Sequence, residues 1–74
     1  MRQPKFGLSP REREIVSAVV AGYTNREIAE QLKISRDTVT HHLRNIYDKL
    51  GVASRLQLAL LAVRRLGGPE DPDT

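Results

Sequence analysis

The sequence predicts an all-α fold, a four-helix bundle-like domain containing a helix-turn-helix, on three observations. Four stretches place apolar residues at the spacing of an amphipathic helix. Three of them begin with the Ser/Thr-x-x-Glu/Gln pattern, in which two side chains satisfy the free N–H groups of a helix start. Glycines stand where three of the helices should end, since glycine adopts the left-handed backbone of a helix terminus at the least cost.

Length and composition limit the chain to one small domain. It has 74 residues and no cysteine, so it lacks a disulfide framework and a thiolate zinc site, as suits a protein of the reducing cytoplasm. No stretch is long and apolar enough for a membrane span, and the N-terminus lacks the apolar core of a signal peptide. We expect a linker or disordered N-terminus at 1–7, one folded domain at 8–66 and a disordered acidic tail at 67–74.

Charge is distributed unevenly along the chain. The net charge is +3, but residues 1–66 carry 12 basic and 6 acidic groups, because three acids lie in the tail. Such an excess attracts polyanions, although it is also compatible with an ordinary solvated surface. With two Tyr and one Phe, the chain has few of the aromatic side chains on which single-stranded nucleic acids stack.

The first helix is predicted to start at Ser9, which pairs with Glu12 as a capping box and precedes a proline at the first helical position. We expect this helix to end at Gly22. Its apolar stripe consists of Ile15, Val16, Val19 and Val20.

A second capping box, Thr24 with Glu27, opens a short helix. The inner face of this helix is Ile28, Ala29 and Leu32. Only Lys33 and Ile34 separate its end from Ser35, which can cap the next helix. Two helices joined by so short a turn are typical of a helix-turn-helix.

The third helix, residues 35–50, has two different faces. Its apolar positions, which fall in one narrow sector, are Val39, Leu43, Ile46 and Leu50, with Tyr47 at the margin. The opposite sector is polar and consists of Asp37, His41, Arg44, Asn45 and Asp48. From spacing alone this outer face is either solvated or a binding surface.

The last helix is predicted to start with Ser54 and Gln57 as a third capping box and to end at Gly67. It has more apolar residues than one core needs. We expect the core side to be Leu56, Ala59, Leu60, Val63 and Leu66, and the outer side to be Leu58, Leu61 and Ala62. Exposed leucines occur on ordinary surfaces, but adjacent ones favour dimerisation through this helix, with Leu58, Leu61, Ala62 and Arg65 in the contact.

Catalysis and metal binding find little support in the sequence. His41 and His42 are adjacent, so they point about 100° apart on a helix, and neither has a Cys or a second His three or four residues away. The serines are explained as caps, and no nucleophile and base form a sheltered constellation. We therefore expect no enzyme, no metal site and no cofactor.

Four segments resemble a known family in order and spacing: residues 8–15 (LSPREREI), 22–29 (GYTNREIA), 34–39 (ISRDTV) and 42–52 (HLRNIYDKLGV), the last leading to Ser54 and Arg55. Together they resemble the LuxR-type helix-turn-helix of LuxR, NarL, FixJ and GerE regulators. The resemblance covers about residues 8–66. It implies a transcription regulator that binds double-stranded DNA at an inverted-repeat operator, as a dimer paired through the last helix. It is also compatible with the output domain of a two-component response regulator.

In that family the third helix enters the major groove. The resemblance implies base contacts at the positions of Thr40, His41 and Arg44. It implies contacts with backbone phosphates near Asn25, Ser35, Thr38 and His42, and Lys49 adds positive charge for the backbone. The family often has a basic residue at the positions of Thr40 and Asp37, so generic affinity and base preference should differ here.

A second interpretation stays open. The chain could be a protein-interaction module that uses Leu58 and Leu61, or a sigma-factor-like helix-turn-helix that contacts RNA polymerase.

Overall fold

The structure, a computed structural model, describes residues 7–65, without the side chain of Arg65. In this range the chain forms four helices and no strand: α1 (Pro10–Val20), α2 (Asn25–Leu32), α3 (Arg36–Leu50) and α4 (Arg55–Arg65). The predicted all-α class with four helices is therefore confirmed. Residues 1–6 and 66–74 lie outside this range. They include all of the expected N-terminal segment at 1–7 except Gly7, the expected helix end at Gly67 and the expected tail at 67–74.

The first two helices start as predicted, with complete capping boxes. The Glu12 N–H donates to Ser9 Oγ at 3.1 Å, and the Ser9 N–H donates to Glu12 Oε1 at 2.9 Å. In the same way, the Glu27 N–H donates to Thr24 Oγ1 at 3.1 Å, and the Thr24 N–H donates to Glu27 Oε1 at 2.8 Å. Because these bonds join residues three apart, sequence alone can specify them.

The start of α4 differs from the prediction in one bond. The Gln57 N–H donates to Ser54 Oγ at 3.2 Å, as expected of a cap. However, Gln57 Oε1 accepts from the N–H of Ala53 at 2.8 Å, not from that of Ser54. The Gln57 side chain therefore satisfies the free N–H of Ala53, one residue before the donor that a capping box would use.

Helices α2 and α3 each end at a residue with a left-handed backbone conformation, where the chain turns. Gly51 ends α3 with φ 70°, as predicted for a glycine. Lys33 ends α2 with φ 59° and is the one non-glycine residue of positive φ in the described range. An L-residue in this conformation costs about 1–2 kcal/mol, so the helix-turn-helix turn is slightly strained at Lys33.

A single core joins the helices. Helix α3 packs against α1 and α2, and α4 packs against α1. The α3 stripe lies in this core as predicted, with Val39, Leu43 and Ile46 buried and Leu50 half-buried. The other buried apolar residues are Leu8, Ile15, Val16, Val19, Ile28, Ala29, Leu58 and Ala62.

The predicted facing of α4 is wrong. Leu58 and Ala62, expected on the outer side, are buried in the core, and Leu61 is half-buried. The large residues expected inside are instead exposed: Leu56 by 68%, Leu60 by 58% and Val63 by 45%. Helix α4 is apolar around most of its circumference, so the period of its apolar residues does not fix its rotation, and packing against α1 decides it.

An ion pair connects α1 to the end of α3. Lys49 Nζ lies 2.8 Å from Glu12 Oε1 and 3.3 Å from the carbonyl oxygen of Gly7. Burial alone would raise the pKa of Glu12, but hydrogen bonds from Lys49 and Ser9 and the charge of Lys49 hold it below its ordinary value. Glu12 therefore both caps α1 and binds α3.

We predict that Glu12→Gln lowers the free energy of unfolding by about 1–2 kcal/mol, because it removes the charge opposite Lys49 but keeps the cap. The loss stays modest because Lys49 is 41% exposed and solvent screens the pair. The folded-state pKa of Glu12 is below its unfolded value, so the stabilisation is present above the unfolded value and lost as pH falls through the folded pKa. Urea titrations followed by circular dichroism at several pH values measure both effects.

Glu14→Gln is the matched control, since Glu14 lies in the same helix in an exposed pair with Arg11 at 3.3 Å. We expect a change below about 0.5 kcal/mol for it. Equal losses for both variants, or a Glu12 effect that does not shrink in acid, would contradict the structural role of the pair.

We also predict that Leu58→Ala lowers the free energy of unfolding by about 2–5 kcal/mol, because it leaves a cavity in the core. At protein concentrations at which the chain is monomeric, Leu60→Ala, on the exposed side of the same helix, should change it by less than about 0.5 kcal/mol. Urea denaturation of the two variants tests the observed facing of α4. A larger loss for Leu60→Ala would support the original facing.

Candidate nucleic-acid interface

The three predicted base-contact residues lie together on the outer face of α3. Thr40, His41 and Arg44 are all exposed, so none has a role in the core. Residues three or four apart on a helix are neighbours, which places Arg44 beside both Thr40 and His41. Their hydroxyl, imidazole and guanidinium groups form one patch of donors and acceptors.

Asn45 extends this patch by one residue. Its Nδ2 lies 3.4 Å from Nε2 of His41, one turn earlier on α3. The Asn45 N–H₂ group can donate to this ring nitrogen when the nitrogen is unprotonated. His41 and Asn45 therefore lie within hydrogen-bonding reach of each other on the outer face of α3.

The beginning of α3 carries short polar side chains. The Thr38 N–H donates to Ser35 Oγ at 3.0 Å, and the two hydroxyl oxygens lie 2.8 Å apart. Ser35 is exposed, while Thr38 and His42 are half-buried. The predicted phosphate-contact residues Ser35 and Thr38 are therefore brought together, in the cap of α3.

Asn25, at the beginning of α2, is fixed by a residue that sequence reasoning did not assign a role. Arg55 Nη1 donates to Asn25 Oδ1 at 2.8 Å, and Arg55 Nη2 donates to the carbonyl oxygen of Tyr23 at 2.7 Å. Arg55 therefore joins the start of α4 to the start of α2. Its only sequence signal is its place after Ser54 in the segment that resembles the LuxR-type domain.

Lys49 does not lie with the other predicted phosphate contacts. It is in the last turn of α3, about 20 Å along the helix axis from Ser35. Its ammonium group is bound to Glu12 and Gly7. The structure thus gives Lys49 a packing role that the sequence did not reveal.

The residues predicted for dimerisation are also separated. Leu58 and Ala62 are in the core, Leu61 is half-buried, and the Arg65 side chain lies outside the described residues. The apolar side chains that α4 does expose are Leu56, Leu60 and Val63.

Residues 7–65 hold no group of three or more His, Cys, Asp or Glu placed to bind a metal ion. Over the same range, every helix is too short or too polar to cross a membrane.

Comparison with known proteins agrees with this geometry. The sequence pattern of the family described as "Bacterial regulatory proteins, luxR family" matches residues 7–62. The chain is 48% identical over 60 residues to the probable transcriptional regulatory protein SgaR of Hyphomicrobium methylovorum, covering 81% of this chain and 28% of that protein. It is 46% identical over 66 residues to the probable HTH-type transcriptional regulator GfsR of Streptomyces halstedii, covering 89% of this chain and 26% of that protein.

A more distant relative is the HTH-type transcriptional regulator MalT of Yersinia pestis, 39% identical over 59 residues that cover 80% of this chain and 6% of that protein. The chain therefore spans about a quarter of the length of SgaR and GfsR and much less of MalT. The family pattern, at residues 7–62, covers α1 to α3 and most of α4. The chain belongs to the luxR family of bacterial regulatory proteins, and its four helices form a helix-turn-helix domain of DNA-binding transcription regulation.

Proposed function

We propose that this domain binds double-stranded DNA sequence-specifically, with α3 in the major groove and Thr40, His41 and Arg44 against base edges. The observation that carries the proposal is the two-sided α3, buried along one stripe and fully polar along the other. The major groove admits one α-helix, and a helix can enter it only if one side is free of the protein.

The chemistry of the patch fits base reading. The Arg44 guanidinium can donate two parallel hydrogen bonds to O6 and N7 of guanine. Thr40 can offer a hydroxyl group, or pack its methyl group on thymine. The His41 ring, which lies beside Asn45, can form a hydrogen bond to a base edge through a ring nitrogen. Asp37 and Asp48 lie on the same side and would repel phosphates in a wrong register, which favours specificity over generic affinity.

Backbone phosphates are met by the residues at the starts of α2 and α3. Asn25, Ser35 and Thr38 supply short polar groups there, as phosphate positioning requires, and His42 adds an imidazole one turn further along α3. We assign Lys49 only to the diffuse positive field, because its ammonium group already binds Glu12. The excess of basic residues supports salt-dependent association with DNA.

We further propose that two copies pair through α4 and bind an inverted repeat. The corrected contact consists of Leu56, Leu60 and Val63, which lie within one sector of α4 and are exposed. Adjacent large apolar side chains on so small a domain favour a partner, and a second copy would place its α3 in a second half-site. The greater length of the relatives supports an output-domain role in a larger regulator, including a two-component response regulator.

We predict that Arg44→Ala weakens binding to a selected operator by about 1–3 kcal/mol and relaxes preference at one base pair. The operator is obtained by selecting duplexes from a random pool, and affinities for selected and scrambled duplexes are compared by fluorescence anisotropy. Arg13→Ala, which removes an exposed arginine from α1, is the control and should keep the preference.

Equal weakening of every duplex by Arg44→Ala would make Arg44 a phosphate contact instead. A wild-type protein that binds selected and scrambled duplexes alike, or shows no salt dependence, would reject the proposed function.

We predict that Leu60→Glu gives a monomer that still folds and binds the inverted repeat at least tenfold more weakly, because it places a carboxylate in the apolar contact. Sedimentation velocity measures the assembly state, and anisotropy measures the affinity. Ser17→Glu adds the same charge to the exposed side of α1 and should change neither.

An unchanged sedimentation profile for Leu60→Glu would reject pairing through α4. If, in addition, DNA shifted the amide signals of α4 and spared residues 35–48, a protein-interaction role, such as contact with RNA polymerase, would replace the DNA-reading one.

A further inference from the structure

A cationic notch lies where the starts of α2, α3 and α4 meet. It is open, has a volume of about 500 Å³, and receives one arginine from each of the three helices: Arg26, Arg36 and Arg55. The remaining lining is Gly22, Tyr23, Thr24 and Asn25. No carboxylate lines it, so the notch is a concave surface of positive charge.

The charges in the notch are only partly neutralised. Arg26 Nε lies 3.5 Å from Glu30 Oε2 in an exposed pair. Arg55 binds two neutral oxygens, those of Asn25 and Tyr23, so it keeps its full charge. Arg36 is exposed and has no hydrogen bond or ion pair to another described residue. At least two of the three guanidinium groups therefore act on the notch without an opposing charge.

Arg55 also fixes the direction of the Asn25 amide. A guanidinium group can only donate, so the atom of Asn25 that faces it must be the carbonyl oxygen. The Asn25 N–H₂ group is consequently turned away from Arg55 and is left to donate to a ligand. The Thr24 N–H is already bound to Glu27 and is not available to a ligand.

The notch continues the outer face of α3. Arg36, Thr40 and Arg44 are spaced four residues apart and so form one ridge along the helix. Arg36 lies about 6 Å along the axis from Thr40 and about 12 Å from Arg44. An anion bound at Arg36 would therefore adjoin any ligand that lies on the base-contact patch.

We propose that this notch binds one phosphate group of the DNA backbone, held by Arg36 and the Asn25 amide, with Arg55 as the residue that positions Asn25. The proposal rests on the proposed function, which already includes a phosphate contact at Asn25, and adds to it Arg36 as a second ligand of that phosphate and Arg55 as the positioning residue. Arginine suits this role because its planar donors match two phosphate oxygens. The contact fixes the depth of α3 in the groove and carries no base preference of its own.

The test compares the wild-type chain, Arg36→Gln and Arg13→Gln on selected and scrambled duplexes over a series of salt concentrations. Loss of one phosphate contact should make the slope of log affinity against log salt shallower by about 0.9. We expect this change for Arg36→Gln on both duplexes, with equal fold-loss of affinity on each. We expect none for Arg13→Gln, which removes an exposed arginine away from the notch.

Asn25→Asp is the second variant. Its carboxylate can still accept from Arg55, so the fold is kept, but the outward donor becomes an acceptor that repels phosphate. We expect it to weaken binding to both duplexes. Wild-type affinity and slope in this variant would overturn the role of Asn25.

The outcomes separate this proposal from the proposed function. If wild-type binding is specific and salt-dependent, but Arg36→Gln has the same slope as Arg13→Gln, the notch contact is overturned and DNA reading stands. Inorganic phosphate is also titrated into the wild-type chain while the Asn25 amide signals are followed. If these signals shift to saturation, but Arg36→Gln leaves the salt slope of DNA affinity unchanged, the notch holds a free anion and the DNA contact is rejected. If the wild-type chain binds no duplex, both proposals fall.

Discussion

The packing of the apolar stripe of α3 against α1 and α2 is the constraint on which the rest of the structure depends. Val39, Leu43 and Ile46 are buried, and they occupy a single sector of the helix. Because one face supplies all the anchoring, the opposite face can carry polar groups without a penalty to the core. The short α2 and its strained turn then serve one purpose, which is to cover the stripe while leaving the start of α3 accessible.

Much of this arrangement could be predicted because its determinants are local. The caps of α1 and α2 join residues three apart, and the stripe of α3 recurs at the helical period, so both are visible in a short segment of sequence. Exposure of Thr40, His41 and Arg44 follows from the same period. By contrast, Lys49 with Glu12 joins residues 37 apart, and Arg55 with Asn25 joins residues 30 apart. No spacing rule connects such pairs before the fold is known.

The facing of α4 shows a different limit. Its leucines occupy both sides of the helix, so the apolar pattern allows two rotations about the axis. The polar residues are divided in the same way: at 100° per residue, Gln57 and Arg64 fall on the side of Leu60, whereas Arg55 and Arg65 fall on the side of Leu58. In the structure Gln57 and Arg64 are exposed and Arg55 is half-buried. In a helix of this composition, neither the apolar nor the polar pattern fixes the orientation before the packing against α1 is known.

The bond from Lys49 to the carbonyl oxygen of Gly7 has a mechanical consequence. Gly7 is where the described chain enters the fold, and Glu12, which binds the same ammonium group, is in the first turn of α1. The entering strand of polypeptide is thereby fastened to the last turn of α3. A displacement of the chain at this entry point therefore acts on the last turn of α3, at the end remote from the proposed base-contact residues.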